Sequence, residues 1–140
     1  MTETDPQDLA DRYIAQWLVP DAAERRAAIE QLWAEDGTHF LQPPVEIREI
    51  AAGIGFGRTA LQARGFDAVE ARVARSYEKF VKGGGLTFRS RADAVRLHDL
   101  VKFSWETVSP GTGEVVGGGL EILVLDEHGR IEADYMFPGA

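Results

Sequence analysis

The sequence predicts an α+β fold in which helices pack on one face of a curved antiparallel sheet. Three observations predict it. Apolar residues recur at helical spacing through the first 83 positions; four segments rich in β-branched and aromatic residues fill the rest; and short turn signals separate those four segments. Of the 140 residues, 44 % are apolar, enough for one core without metal or disulfide staples, so residues 1–140 are expected to form one domain.

The first helix opens at Asp5-Pro6, where Asp can cap and Pro is tolerated at the first helical position. Leu9, Tyr13, Ile14, Trp17 and Leu18 form its buried stripe, and Pro20 ends it. Asp21 with Glu24 starts a second helix in the manner of a capping box, with Ala28, Ile29, Leu32 and Trp33 on its buried side. Asp36-Gly37 then reads as a turn into a short strand at 38–41. Residues 42–66 open on Pro43-Pro44 and carry four glycines; a short strand at 45–47 followed by a loop or lid is expected. Asp67 and Glu70 form another capping-box-like pair, and Val69, Val73, Tyr77, Phe80 and Val81 predict an amphipathic third helix with Gly83 at its C-cap. Strands are expected at 86–91, 97–108, 115–125 and 131–137, joined as hairpins through the turn signals at 109–113 and 126–129.

The 15 Lys and Arg stand against 23 Asp and Glu, a formal charge of −8. A nucleic-acid phosphate lattice and an anionic membrane both demand a positive footprint, so neither is expected as a partner. The absence of cysteine excludes disulfide frameworks, thiolate zinc sites and cysteine nucleophiles. The acidic start lacks the basic and apolar regions of a secretory signal, and the longest strongly apolar run, Ile122 to Leu125, is far short of the roughly 18 residues of a membrane span. The cytoplasm is the expected location.

Fifteen glycines, many of them clustered, are the unusual feature of the composition. Gly53, Gly55 and Gly57 do not make a dinucleotide fingerprint, because Arg58 stands where the last glycine belongs. A tightly turned loop is expected there instead. Gly117, Gly118 and Gly119 lie inside a predicted strand, where glycine marks a bend, a bulge or the close approach of another group.

The candidate chemistry is sparse. The spacing of His39, His98 and His128 carries no metal signature, and no metal or cofactor is expected. His39, between Thr38 and Phe40, is either an inward-facing base or a half-buried strand histidine. Glu121 interrupts an apolar strand and shares a face with Leu123 and Leu125, where desolvation raises a carboxyl pKa; an edge or dimer-rim position is the alternative. By alternation Asp134 falls outside, opposite Ile131, Ala133 and Tyr135. Arg72, Arg75 and Lys79 read as the solvated side of the third helix, and Tyr13 as a core residue whose hydroxyl needs a partner.

Four stretches taken together, Arg12-Tyr13-Ile14-Ala15, Leu32 to Thr38, Val101 to Glu106 and Val124 to Ile131, resemble the nuclear transport factor 2-like superfamily, with its SnoaL-like and ketosteroid isomerase-like members. The resemblance covers nearly the whole chain. It implies a cone-shaped barrel in which a curved antiparallel or mixed sheet wraps around three N-terminal helices and an apolar pocket, with dimerisation through the outer face of the sheet. It places Tyr13 at the isomerase's oxyanion-hole tyrosine and Glu121 near its protonated acid, an enzyme that serves as a standard example of a neutral carboxylic acid donating a hydrogen bond. The isomerase's general base falls at or beside Leu41, which cannot accept a proton, so His39 is the substitute base. Asp134 and Met136 fall near the polar pair of the polyketide cyclases, which turns Asp134 toward the pocket.

Two functions follow as expectations. The first is an isomerase, cyclase or lyase for a small apolar carbonyl-bearing substrate, with Tyr13 and Glu121 as donors and His39 or Asp134 moving the proton. The second is a non-catalytic ligand-binding or homodimerisation module, with Phe103 and Trp105 on the sheet face of the dimer.

Overall fold

The computed structural model describes residues 5–57 and 61–139. Arg58 and the first four residues of the acidic start lie outside the described residues. Helices α1 (Pro6–Gln16) and α2 (Ala22–Leu32) begin where the sequence places them. Asp5 accepts from the Asp8 backbone N–H at 3.1 Å and Asp21 from that of Glu24 at 2.9 Å, so each cap satisfies one of the orphan donors of its helix.

Strand β1 (Trp33–Leu41) starts directly from the end of α2, without the turn expected at Asp36-Gly37. Gly37 is instead buried within the strand, where a Cβ would come within 2.6 Å of the Ile131 carbonyl oxygen. Residues 45–47, expected as a strand, open helix α3 (Val45–Gly53). Pro44 fits its start and the following Glu-Ile-Arg-Glu-Ile-Ala-Ala run is made of helix formers, which outweigh the brief apolar alternation of Val45 and Ile47. A short strand β2 (Leu61–Arg64) follows.

Helix α4 (Phe66–Ser76) starts at Gly65, and neither Asp67 nor Glu70 caps it. Both acids turn to Arg26 of α2 at 2.8 and 2.5 Å, tying the two helices together at the surface. The helix then widens into a π-helical turn over Tyr77–Lys82. That extra residue per turn rotates the apolar stripe: Val69 and Val73 are in the core, whereas Phe80 is exposed along a cavity wall.

The remaining strands are β3 (Thr87–Ser90), β4 (Val95–Leu97), β5 (Leu100–Ser109), β6 (Glu114–Leu125) and β7 (Ile131–Pro138). The strand expected at 97–108 is broken by a tight turn at His98, whose φ is 54°. Seven strands form one curved, unclosed sheet in the order β2-β1-β7-β6-β5-β3, with β4 also on β5. The hairpins are antiparallel as expected, and β1 joins β7 in parallel, which makes the sheet mixed. Helices α1, α2 and α4 fill its concave side, and their stripe of Leu9, Tyr13, Ile14, Ile29, Leu32, Val69 and Val73 meets Val101, Phe103, Leu123 and Ile131 from the strands. Each large apolar side chain so buried contributes about 1.5–3 kcal/mol before entropy is counted.

Two expectations about faces are corrected here. Phe103 is buried and Trp105 packs against the core, so both point into the cone and not onto its outer face. Asp134 is also fully buried. Val124 pairs with Ala133 but Leu125 with Ile131, so Glu132 is an extra residue. That bulge reverses the alternation and puts Ile131, Asp134 and Met136 on one side.

Candidate functional site

Strand register assembles the site. His39 of β1 lies beside Asp134 of β7, Asp134 beside Leu123 of β6, and one pair further along Leu41, Met136, Glu121 and Phe103 form the next row across four strands. Asp134 and Glu121 are therefore diagonal neighbours on the concave face. Tyr13 descends onto that diagonal from α1, held edge-on against Phe103 at 5.6 Å between ring centroids.

All four residues expected at the site meet there. Tyr13 Oη lies 3.2 Å from Glu121 Oε2 and closer still to Asp134 Oδ2, which His39 Nδ1 approaches at 2.9 Å. On the outer side, Trp105 Nε1–H donates to Glu121 Oε1 at 3.0 Å. Burial, and then the charge of Asp134, hold the Glu121 carboxyl well above the usual carboxylate range. Burial, followed by the charges of Asp134 and Glu121, likewise raises the Tyr13 phenol well above its ordinary value.

A phenol has one hydrogen to give. The Tyr13 hydroxyl lies within reach of both carboxyl groups and nearer to Asp134, and burial favours the protonated form of Glu121. The contacts run from Glu121 through Tyr13 to Asp134, with His39 closing the chain from behind. His39 Nε2 and Asp134 Oδ1 are left without hydrogen-bond partners. The rings of Trp17 and Trp33 lie 5.7 and 6.4 Å from the imidazole, so the inner end of the network is walled by indoles.

The outer end opens onto a cavity of about 550 Å³. Tyr13 and Glu121 line it; among its lining residues are also Leu41, Leu86, Phe88, Trp105, Val116 and Met136. His39 and Asp134 do not reach it. The start of α3, through Pro44, Val45 and Arg48, forms part of the wall, whereas Gly53, Gly55 and Gly57 do not. The mouth is thus bordered by the helix that the sequence reading took for a strand.

Several participants were missed by pattern reading. Trp105 reaches Glu121 because Gly119, its partner across the hairpin, leaves room for the indole. A glycine opposite a tryptophan on adjacent strands was the available signal. Gln16 Oε1 accepts from Trp33 Nε1 at 2.9 Å inside the core, which ties α1 to the first strand behind the site. Arg72, read as solvated, lines the cavity with its guanidinium 5.2 Å from the Trp17 ring centroid. His98 and His128 are exposed at turns, away from the site. Among the described residues no group of three or more His, Cys, Asp or Glu is placed to hold a metal ion, and no helix is long and apolar enough to cross a membrane.

No protein-family model and no curated protein matches the sequence. Solved structures do. A SnoaL-like family protein from Agrobacterium tumefaciens str. C58, provisionally named an isomerase, is similar at 25 % identity and a TM-score of 0.74, over 95 % of this chain and 96 % of that one. A SnoaL-like protein of unknown function from Burkholderia thailandensis E264 is similar at 17 % identity and 0.58, over 96 % and 98 %. A nuclear transport factor 2-like protein of unknown function from Exiguobacterium sp. 255-15 gives 17 % and 0.58, over 93 % and 97 %. The last two speak to the fold alone. The helices packed inside an open, curved sheet, the site at the cone's interior and these neighbours agree: the chain has the nuclear transport factor 2-like cone fold, with SnoaL-like proteins as its structural relatives.

Proposed function

We propose that the protein binds a small, largely apolar, carbonyl-bearing molecule in this cavity and acts on it by acid–base chemistry, as an isomerase, cyclase or lyase. The observation that carries the proposal is a phenol and a buried carboxyl group 3.2 Å apart in the wall of a mostly apolar cavity, with burial favouring the protonated acid. A carbonyl oxygen placed against Glu121 takes over from Tyr13 Oη as receiver of the acid's proton. The Tyr13 O–H, turned from Asp134 toward the cavity, is the second donor to charge developing on that oxygen. Once Glu121 has given its proton to the carbonyl oxygen, the carboxylate so formed takes a proton from the α-carbon and leaves the neutral enol, so Glu121 ends protonated and is the proton-moving group. Asp134 and His39 lie behind Tyr13 and act through it, as positioning residues. The name of the Agrobacterium neighbour is consistent with this class of reaction.

The test is exchange of α-hydrogens in D₂O, followed by NMR, on a panel of aryl alkyl and cyclic ketones. Acceleration over buffer that is lost in Glu121→Gln supports the reading. Binding without any acceleration favours the second reading, a ligand-binding module without turnover. That alternative is favoured by Leu41 and Met136 occupying the wall where a further base would stand.

The protein is also proposed to be a homodimer through the outer face of the sheet. Alternation turns Leu120, Ile122, Val124 and Phe137 outward there, and Phe40 stacks on half-exposed Tyr135 at 5.0 Å. A dimer by sedimentation at micromolar concentration supports this, and a monomer counts against it.

A further inference from the structure

Among the described residues, buried Arg25 and half-buried Arg26 are provided with oxygen. Arg25 donates to the Val19 carbonyl at 3.1 and 2.8 Å and to that of Pro20, and Arg26 reaches Glu30, Asp67 and Glu70. Arg72 differs. It lies within the helical layer on α4 beside buried Val73, and its Nε is sealed from solvent without a hydrogen-bond partner. Among the described residues no carboxylate or carbonyl oxygen pairs with it; its contact is the face of Trp17. An indole face attracts a guanidinium but supplies none of the in-plane acceptors that its five N–H groups require.

The nearby acids do not serve. Burial holds Glu121 toward its neutral form, and the Asp134 oxygen that faces the site is already met by Tyr13 and His39. Desolvation lowers the pKa of Arg72, partly offset by Tyr13, Asp134 and Glu121, yet a guanidinium stays protonated in any protein environment. A half-buried guanidinium with its Nε sealed from water and no oxygen partner is costly unless something else satisfies it. Arg72 lines the same cavity as Tyr13 and Glu121, and the cavity size suits a small organic molecule. Arg48, the other cation on the wall, is exposed and has its Nε engaged by the Pro43 carbonyl at 3.1 Å.

We infer that Arg72 is the anion-binding residue of the cavity, and that the ligand is an apolar carboxylic acid whose carboxylate pairs with its guanidinium while the rest of the molecule fills the apolar wall toward Tyr13 and Glu121. The inference rests on the proposed pocket function and names its substrate class: the molecule carries both a carbonyl and a carboxylate. Trp17 covers one face of the planar guanidinium, and with Nε sealed the edge formed by the two terminal nitrogens is left for a two-pronged contact with the carboxylate.

The test is binding, so it does not depend on turnover. The probes are 1-naphthaleneacetate, 4-phenylbutanoate and cyclohexaneacetate, each paired with its neutral primary amide of nearly the same shape and titrated calorimetrically against the wild-type protein, Arg72→Gln and Arg72→Lys. The expected result is that at least one acid binds the wild type tenfold or more tightly than its amide, in line with a charge-assisted pair, roughly. Arg72→Gln is expected to abolish that preference while leaving amide affinity within about twofold, and Arg72→Lys to retain part of it. Should Arg72→Gln fold poorly, Arg72→Lys and the acid-to-amide ratio of the wild type still decide the matter. Equal binding of acid and amide, or a preference that survives Arg72→Gln, overturns the inference and leaves the pocket reading intact. If neither acids nor amides bind, both fall.

Discussion

Gly119 and Trp105 occupy paired positions on β6 and β5, and the indole lies over the glycine so closely that a Cβ there would come within 2.6 Å of its Cε2. The side-chain-free strand position is what lets the indole lie along the sheet and deliver its N–H to Glu121. A feature of composition, glycine in a strand, is thus tied to the electrostatics of the cavity wall.

Gly119→Ala is expected to displace the indole, since the Phe137 carbonyl at 2.9 Å prevents the strand from yielding instead. Overpacking of this kind costs about 1–3 kcal/mol. Chemical denaturation should show that loss, and the fluorescence of Trp105, separated by a Trp105→Phe control, should shift as its hydrogen bond to Glu121 breaks. Unchanged stability and emission would falsify this account.

The raised pKa of Glu121 makes stability depend on pH with a definite sign. Between the unfolded carboxyl pKa, about 4.3, and the higher folded value, the native state binds the proton that the unfolded state has lost. Stability therefore falls as pH rises through that window, by at most about 1.4 kcal/mol per pH unit from this group. Glu121→Gln, neutral at every pH, is expected to flatten the profile above the unfolded carboxyl pKa relative to the wild type. Parallel wild-type and variant profiles from urea titrations would show that Glu121 is ionised in the fold.

The buried pair of Gln16 and Trp33 can be weighed by a double-mutant cycle. Gln16→Leu leaves the indole N–H sealed in the core without its acceptor, at a cost of about 1–2 kcal/mol. Adding Trp33→Phe should cost less in that background than in the wild type, because the stranded donor is removed with the ring. Strict additivity in thermal or urea denaturation would mean the hydrogen bond carries no coupling.

Helix α3 buries none of its residues, and Ile50 and Ile54 are 67 % and 72 % exposed. Little packing opposes its opening, so its amides are expected to exchange hydrogen well before those of α1 and the central strands. Binding of a cavity ligand should slow that exchange, because Pro44, Val45 and Arg48 form part of the wall. Equal protection of α3 and α1 in the ligand-free protein would contradict the burial pattern.

Much of this architecture is written locally. The caps Asp5 and Asp21, the stripe from Leu9 to Trp17 and the hairpin turns at 109–113 and 126–129 depend on neighbours a few residues away, so the sequence determined α1, α2 and the β5-β6-β7 meander. The inward face of Glu121 and the buried setting of Tyr13 followed from the same periodicities, and the resemblance of four short stretches pointed to the family fold. Tertiary structure decided the rest. One extra residue, Glu132, reverses the alternation of β7 and brings Asp134 to Tyr13; whether a strand bulges depends on its register with a neighbour, which no local period records. The π-helical turn that carries Phe80 to the cavity and the packing that turns Arg72 from a solvated face toward that cavity are likewise set between distant segments. Sequence alone therefore determined the layers and offered Tyr13 and Glu121 as inward-facing groups; the three-dimensional register decided which polar groups meet and which of them line the cavity.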